Sequence, residues 1–313
     1  MIAVLGSFDG FHLGHQLLFD RARELAVNAA DSWCVVTFSP HPQSVIGRKP
    51  FPLLFTEPEK DILARCLKIP EIIRMPFSSS FAEMGPEFFF EALEKTLFVR
   101  GLVVGEDFRF GKGRGGDSVL LSELALLRGW EASIVPAYSI EGEKVSSSSI
   151  RTKVLSGDTG GAALELGYPF SILGTVEHGD GRGRTLGFPT LNLDLPGMKI
   201  IPPRGVYAGS AAWKGNIFPA AINIGSNPTF PGKRDLRCEA HIPGFKVDLY
   251  GERLTLFFFR RIRREVTFDS PSALVDQMRT DVKESIDVWS RIDQETRSFL
   301  DCCMPDSLEY PLR

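Results

Sequence analysis

Short apolar runs recur along the first half of the chain, separated by stretches of helical spacing. Ile2–Leu5, Cys34–Phe38, Ile72–Met75, Leu102–Val104 and Ala132–Val135 are nearly continuous apolar runs, the pattern of strands buried on both faces. Between them, Leu13–Ala29 places Leu17, Leu18, Ala22, Leu25 and Ala26 on one helical face. Thr56-Glu57-Pro58-Glu59 is a capping box ahead of Ile62, Leu63 and Leu67. Gly85-Pro86-Glu87 opens a helix through Leu97, and Val119–Leu127 predicts another. Such alternation predicts a parallel sheet covered by helices on both faces. After Arg151 the rhythm changes. Leu155 to Gly167 is rich in glycine and reads as a helix end and a linker. Phe170–Val176, Val206–Ala212, Ile217–Ile224 and Leu254–Ile262 then recur between Gly, Pro and Asn clusters, the signature of an antiparallel barrel or sandwich. Pro271 to about Leu300 is helical again, and the rest reads as a tail. The expected partition is an α/β domain over 1–155, a linker over 156–167, a β domain over 168–300 and a tail over 301–313.

Composition narrows the class. With 43% hydrophobic and 24% charged residues, the chain has the apolar content of a folded protein rather than a disordered one. Lys plus Arg (36) nearly balances Asp plus Glu (39), so no basic nucleic-acid footprint is expected. No apolar run approaches the roughly 18 residues of a spanning helix, and the N-terminus does not read as a signal peptide. The five cysteines are sparse and contain no C-x-x-C pair, which argues against a disulfide framework and a cysteine zinc site. A soluble cytoplasmic protein is the expectation, with no nucleic-acid or membrane partner.

Two stretches carry chemistry. The first, Gly6-Ser7-Phe8-Asp9-Gly10-Phe11-His12-Leu13-Gly14-His15, follows the first predicted strand and runs into a helix. Open α/β sheets bind ligands at that point, glycines allow close backbone approach, and a helix N-terminus favours phosphate. His12 and His15, three apart, can face one ligand and donate to charge that builds up in a phosphoryl displacement. The same spacing could hold a metal, but no other histidine comes with a partner ligand pattern.

This string resembles the His-x-Gly-His signature of nucleotidylyltransferases. With Phe-Asp-Gly before it, it is similar to the adenylyltransferase module of bacterial bifunctional FAD synthetases (riboflavin kinase/FMN adenylyltransferase). Thr37-Phe38-Ser39-Pro40-His41-Pro42, Gly105-Glu106-Asp107-Phe108-Arg109-Phe110-Gly111 and Val145-Ser146-Ser147-Ser148-Ser149-Ile150-Arg151 resemble that module's later motifs, in order. Ser148 stands where threonine is usual and keeps the hydroxyl. The resemblance implies phosphate roles for His12, His15 and Arg151, with Gly6, Phe8, Asp9, Gly10, Asp107, Phe110, Ser147 and Ser148 holding nucleotide or flavin. From the residues alone, Phe108 and Phe110 fit a hydrophobic core as well as the flanks of a flat ring.

The second stretch is Gly179-Asp180-Gly181-Arg182-Gly183-Arg184, ahead of Phe188-Pro189-Thr190-Leu191-Asn192. A glycine-rich loop with two arginines can wrap a polyphosphate. It lacks the lysine and hydroxyl residue of a P-loop. Thr190 and Asn192 share one face of an extended strand and offer the hard oxygen ligands that Mg²⁺ prefers. The stretch resembles the Pro-Thr-x-Asn motif of the riboflavin kinase module. Agreement continues through Arg204–Tyr207, Asn223–Phe230, Glu239–His241, Asp248–Gly251 and the spacing of Arg263, Glu265, Phe268, Leu274, Gln277 and Asp281. The resemblance implies Glu239 as catalytic base, Thr190 and Asn192 as Mg²⁺ ligands, and Gly181, Arg184 and Asn223 as nucleotide or flavin contacts. It implies a Rossmann-like domain followed by a six-stranded Greek-key barrel with a C-terminal helix. It also implies ATP as co-substrate, riboflavin, FMN and FAD as substrates and products, and weak or transient self-association. Retention of one activity only, or a non-catalytic flavin- or nucleotide-binding regulator, are the alternative readings.

Overall fold

The computed structural model describes residues 1–47, 50–179, 181–226 and 236–303, with the side chain of Arg182 not described. Asp180 and Asn227–Phe230, named in the motifs above, and most of the expected tail lie outside the described residues. The strands are β1 (Ile2–Leu5), β2 (Trp33–Ser39), β3 (Ile72–Pro76), β4 (Gly101–Gly105), β5 (Glu131–Val135), β6 (Ser139–Ile140), β7 (Glu143–Lys144), β8 (Phe170–Glu177), β9 (Leu191–Leu193), β10 (Gly205–Trp213), β11 (Asn216–Ser226), β12 (Leu236–His241) and β13 (Arg253–Arg264). The helices are α1 (Leu13–Asn28), α2 (Pro42–Ile46), α3 (Glu57–Cys66), α4 (Ser79–Ala82), α5 (Pro86–Thr96), α6 (Ser118–Leu126), α7 (Ser147–Ser156), α8 (Thr159–Leu166), α9 (Arg182–Thr185), α10 (Pro271–Ser290) and α11 (Gln294–Cys302).

Contacts divide the chain into two units. The first comprises Met1–Leu53 and Leu67–Ser147; the second comprises Leu54–Cys66 and the chain from Ser148 onward. In the first unit, β1–β5 form a parallel sheet in the order β3-β2-β1-β4-β5. The strand order reverses at β1, so a crevice opens beyond the carboxyl ends of β1 and β4. Ala3, Leu5, Cys34, Val36, Leu102 and Val104 face one way, against Phe89, Phe90 and Leu93 of α5 and Leu121, Leu124 and Ala125 of α6. Leu18, Phe19, Ala22, Leu25 and Ala26 are the buried stripe of α1, which packs on β1 and β4.

In the second unit, β8–β13 close a six-stranded barrel in the order β10-β11-β12-β9-β8-β13, its pairs all antiparallel. The last helical stretch is two helices rather than one. Asp293 accepts from Thr296 N at 2.7 Å and starts α11 afresh. The glycine-rich stretch read as linker also contains a helix, α8, capped by Asp158 at its start and closed by Gly167 in the left-handed region at φ 79°. Leu54–Cys66 belongs to the second unit for a physical reason. Glu59, buried, accepts from Leu173 N of β8 at 2.9 Å and from Lys199 Nζ at 2.9 Å. Lys199 also donates to Leu54 O at 2.6 Å and lies over the rings of Phe55 and Phe170. The cysteine expectation is corrected here: Cys66 and Cys303 form a disulfide, with Cα atoms 6.0 Å apart. The pair is 237 residues apart in sequence, so spacing could not show it.

Candidate active sites

The first site begins where β1 ends. Gly6 is needed there because a Cβ would lie 2.7 Å from the ring of Phe8. Phe8 takes a positive φ of 39° and buries its ring against Phe11, Phe19 and the edge of His15. Asp9 is buried in the same turn, and Gly10 has φ 156°. Gly6, Phe8, Asp9 and Gly10 therefore shape the turn that presents the histidines. Thr37 ties β2 to this turn by donating to Ser7 O at 3.1 Å. His41, from the second motif, caps α2 by accepting from Gln43 N at 3.2 Å and stacks on Phe51.

His12 is the N-cap of α1, its Nδ1 accepting from His15 N at 3.3 Å. His15 Nδ1 donates to Gly10 O. The two rings stack with centroids 3.6 Å apart. These bonds set the tautomers. Neutral His12 carries its proton on Nε2, whereas neutral His15 carries it on Nδ1 and leaves Nε2 as an acceptor. Burial, reinforced by His15, pushes the His12 pKa down to about 2. Burial also pushes His15 down to about 4, against the opposing pull of Gly10 O and Asp107. Both rings are neutral near pH 7.

The histidines line a cleft of about 220 Å³. Its other walls include Asp107 after β4, the Val135–Tyr138 segment after β5, and Lys144–Ser147. Asp107 meets Lys144 Nζ at 2.7 Å, an ion pair that holds its carboxyl below the usual range. Ser147 lines the cleft and opens α7; Ser148, exposed, is the next residue of that helix. Arg151 follows one turn later, in the part of α7 that groups with the second unit. Phe110 is buried in the core beside Phe89 and Phe90, with Phe108 stacked on it. Lys144, Tyr138 and Glu106 also line the cleft and were not singled out from sequence. The one signal for Lys144 and Tyr138 is proximity to the Val145–Arg151 motif, whereas Glu106 is itself a member of the Gly105–Gly111 motif.

The second site lies in the barrel unit. A cavity of about 330 Å³ is lined by Arg184, Pro189 and Thr190 on one side and by Ile242 and Phe245–Tyr250 on the other. The Thr190 hydroxyl donates to Glu239 Oε2 at 3.2 Å. Register places Asn192 opposite Glu239 and Glu239 opposite Asn223, so β9, β12 and β11 present one polar row, each member partly exposed. Leu193, Cys238 and Ile224 form the buried row beside it. His241 Nδ1 donates to Pro189 O at 2.8 Å and fixes the backbone just ahead of Thr190. The glycine-rich loop closes on the same residues. A Cβ at Gly179 would lie 2.1 Å from the Asn192 amide, and one at Gly183 would lie 2.3 Å from Phe188 O. Gly181 turns the chain at φ 69°. The His178 ring stacks on Tyr250 with centroids 3.6 Å apart, joining the root of that loop to the opposite wall. Arg263 donates to both carboxyl oxygens of Asp281 on α10, and Gln277 donates to the same carboxylate. Among the described residues, no cluster of three or more His, Cys, Asp or Glu could hold a metal ion. The oxygen donors Thr190 and Asn192, beneath a loop of small residues, fit a hard cation brought in with phosphate.

Two family models match, FAD synthetase over residues 1–149 and riboflavin kinase over residues 166–289. The bifunctional riboflavin kinase/FMN adenylyltransferase of Bacillus subtilis is 35% identical over 93% of this chain and 93% of its own. Its counterpart in Listeria monocytogenes is 32% identical over 95% and 92%, and that of Escherichia coli K12 is 33% identical over 90% of each. A crystal structure described as a macrolide-efflux protein from Streptococcus pneumoniae superposes with a TM-score of 0.84, at 33% identity, covering 91% of this chain and 93% of that one. No helix among the described residues here is long and apolar enough to cross a membrane. The chain belongs to the bifunctional riboflavin kinase/FMN adenylyltransferase family.

Proposed function

We propose that the barrel unit phosphorylates riboflavin with ATP to give FMN and ADP, and that the Rossmann-like unit adenylylates FMN with ATP to give FAD and pyrophosphate. The observation that carries this reading is that His12, His15, Asp107 and Ser147 line a cavity in the first unit while Arg184 and Thr190 line another in the second. In the barrel unit, Glu239 accepts the proton of the primary hydroxyl of riboflavin as that oxygen attacks the γ-phosphorus. Thr190 and Asn192 would hold Mg²⁺, whose charge when bound offsets that of the phosphates. Gly181 and Arg184 cradle the polyphosphate, and Asn223 extends the polar row toward the flavin.

In the Rossmann-like unit, an FMN phosphate oxygen attacks the α-phosphorus of ATP and pyrophosphate leaves. His12 supplies an N–H donor from Nε2 without changing protonation. His15 supplies one from Nε2 only when protonated, a state that the approaching polyanion favours. Arg151 and Ser147 complete the phosphate contacts, with Ser148 beside them, and Asp107 positions the nucleotide. Gly6, Phe8, Asp9, Gly10 and Phe110 act on the ligand through the turn and core that they build. The same reading places the enzyme in the cytoplasm with small-molecule substrates, no nucleic-acid or membrane partner, and weak or transient self-association. Incubation with riboflavin, ATP and Mg²⁺, followed by chromatography, tests it. FMN should appear first and FAD should follow; neither product from folded protein would overturn the proposal.

A further inference from the structure

We propose that His241 is a positioning residue for phosphoryl transfer in the barrel unit, holding Thr190 where its hydroxyl meets both Glu239 and the metal-bound nucleotide. The inference rests on the assignment of riboflavin phosphorylation to that site. A break in the strand pairing carries it. β9 pairs with β12 from Leu193↔Cys238 through Asn192↔Glu239 to Leu191↔Ala240. His241 comes next along β12, and Thr190 is the residue just before β9. The ladder stops there, and Pro189, which lacks an N–H, cannot donate to a longer one. Thr190 therefore lies just beyond the strand pairing.

The His241 side chain supplies the missing tie. Its Nδ1 donates to Pro189 O at 2.8 Å and so grips the peptide that joins Pro189 to Thr190. Phe188, one residue earlier, is held too: its N donates to Gly183 O at 2.8 Å, and its ring meets the His241 ring edge-on with centroids 5.3 Å apart. The backbone of His241 is itself fixed, because β12 pairs on its other edge with β11, Ala221 opposite His241. His241 and Glu239 alternate along one strand and share a face. Two side-chain bonds thus cross the end of the ladder on that face, His241 to Pro189 O and the Thr190 hydroxyl to Glu239 Oε2 at 3.2 Å. With its proton directed at the carboxylate, the hydroxyl oxygen keeps its lone pairs for a hard cation. Without the His241 bond, Thr190 keeps its chemistry and loses its place.

His241→Phe and His241→Asn test the proposal. Phe keeps a ring against Phe188 and removes the donor, whereas Asn places an amide N–H near the position of Nδ1. Binding of Mg²⁺-ADP by titration calorimetry and steady-state formation of FMN from riboflavin are the readouts. In His241→Phe the Kd for Mg²⁺-ADP should rise, and kcat/KM for Mg²⁺-ATP should fall, by about fivefold to tenfold, the loss of one hydrogen bond. The KM for riboflavin should stay within about threefold of wild type. His241→Asn should recover both nucleotide parameters to within about twofold of wild type. FAD formation from supplied FMN should be unchanged in both, and circular dichroism reports that the barrel unit is folded; His241→Ala takes the place of His241→Phe if that variant is not. Nucleotide parameters in His241→Phe within about twofold of wild type would overturn the inference. So would a loss that His241→Asn does not recover, or an equal rise in the riboflavin KM, because His241 would then act through its bulk rather than through Pro189. A wild-type protein that forms no FMN would instead sink the assignment of the barrel site itself.

Discussion

His12 and His15 are equivalent in the sequence motif and inequivalent in the fold. One ring nitrogen of His12 is spent as a helix cap, and one of His15 on Gly10 O. His12→Ala should therefore lower FAD formation by about 10²- to 10³-fold, as expected for loss of a preorganised donor, and spare FMN formation from riboflavin. Separate assays of the two products check this. The lowered pKa values also predict a stability trend. Unfolding restores both histidines to a value near 6.5, so below that pH the unfolded chain binds more protons than the native one. Stability is full above about 6.5 and is lost as pH falls toward the folded values near 4 and 2. The thermal midpoint of the wild type should drop between pH 7 and pH 5, and by less in His12→Asn; calorimetry at both pH values measures it. At this scale the sequence pointed to the histidines through their spacing and to Thr190, Asn192 and Glu239 through the resemblance, and the structure brings the last three side by side. It was not readable for Phe8 and Phe110, whose rings suit a core as well as a ligand, or for Lys144, whose meaning comes from Asp107, 37 residues away.

Among the elements, the apolar runs and the caps carried the fold. The Thr56–Glu59 box closes as its spacing predicts, with Glu59 accepting from Thr56 N at 2.6 Å. What the spacing did not show is that this carboxylate turns inward to Lys199. A buried, hydrogen-bonded ion pair is costly to halve. Lys199→Ala should destabilise the barrel unit by about 3–5 kcal/mol, and Lys199→Met/Glu59→Gln should recover much of that loss. Denaturant titration of both variants decides it. The short strands β9 and β12 were legible only through motifs, because they are brief and polar residues interrupt their apolar positions. Helix α8 was hidden by its own glycines, Gly160 and Gly161, which propensity counts against a helix and the Asp158 cap outweighs.

At the scale of the whole molecule, the two activities occupy separate units and should be separable by single substitutions. Glu239→Gln should cut FMN formation by about 10²- to 10⁴-fold while FAD formation from supplied FMN persists. Loss of both reactions in a folded variant would refute the division of labour. The Cys66–Cys303 disulfide joins α3 to the end of α11 within the second unit. The discontinuity of that unit has a consequence for anyone dissecting the gene. Its first piece, Leu54–Cys66, leaves the ribosome long before the strands it packs on, and waits there while the rest of the Rossmann-like unit is made. A kinase fragment cut at residue 148 would lack Glu59 and Cys66, and would need that short segment grafted back, as a peptide or a permuted N-terminus, before it behaved as an autonomous enzyme.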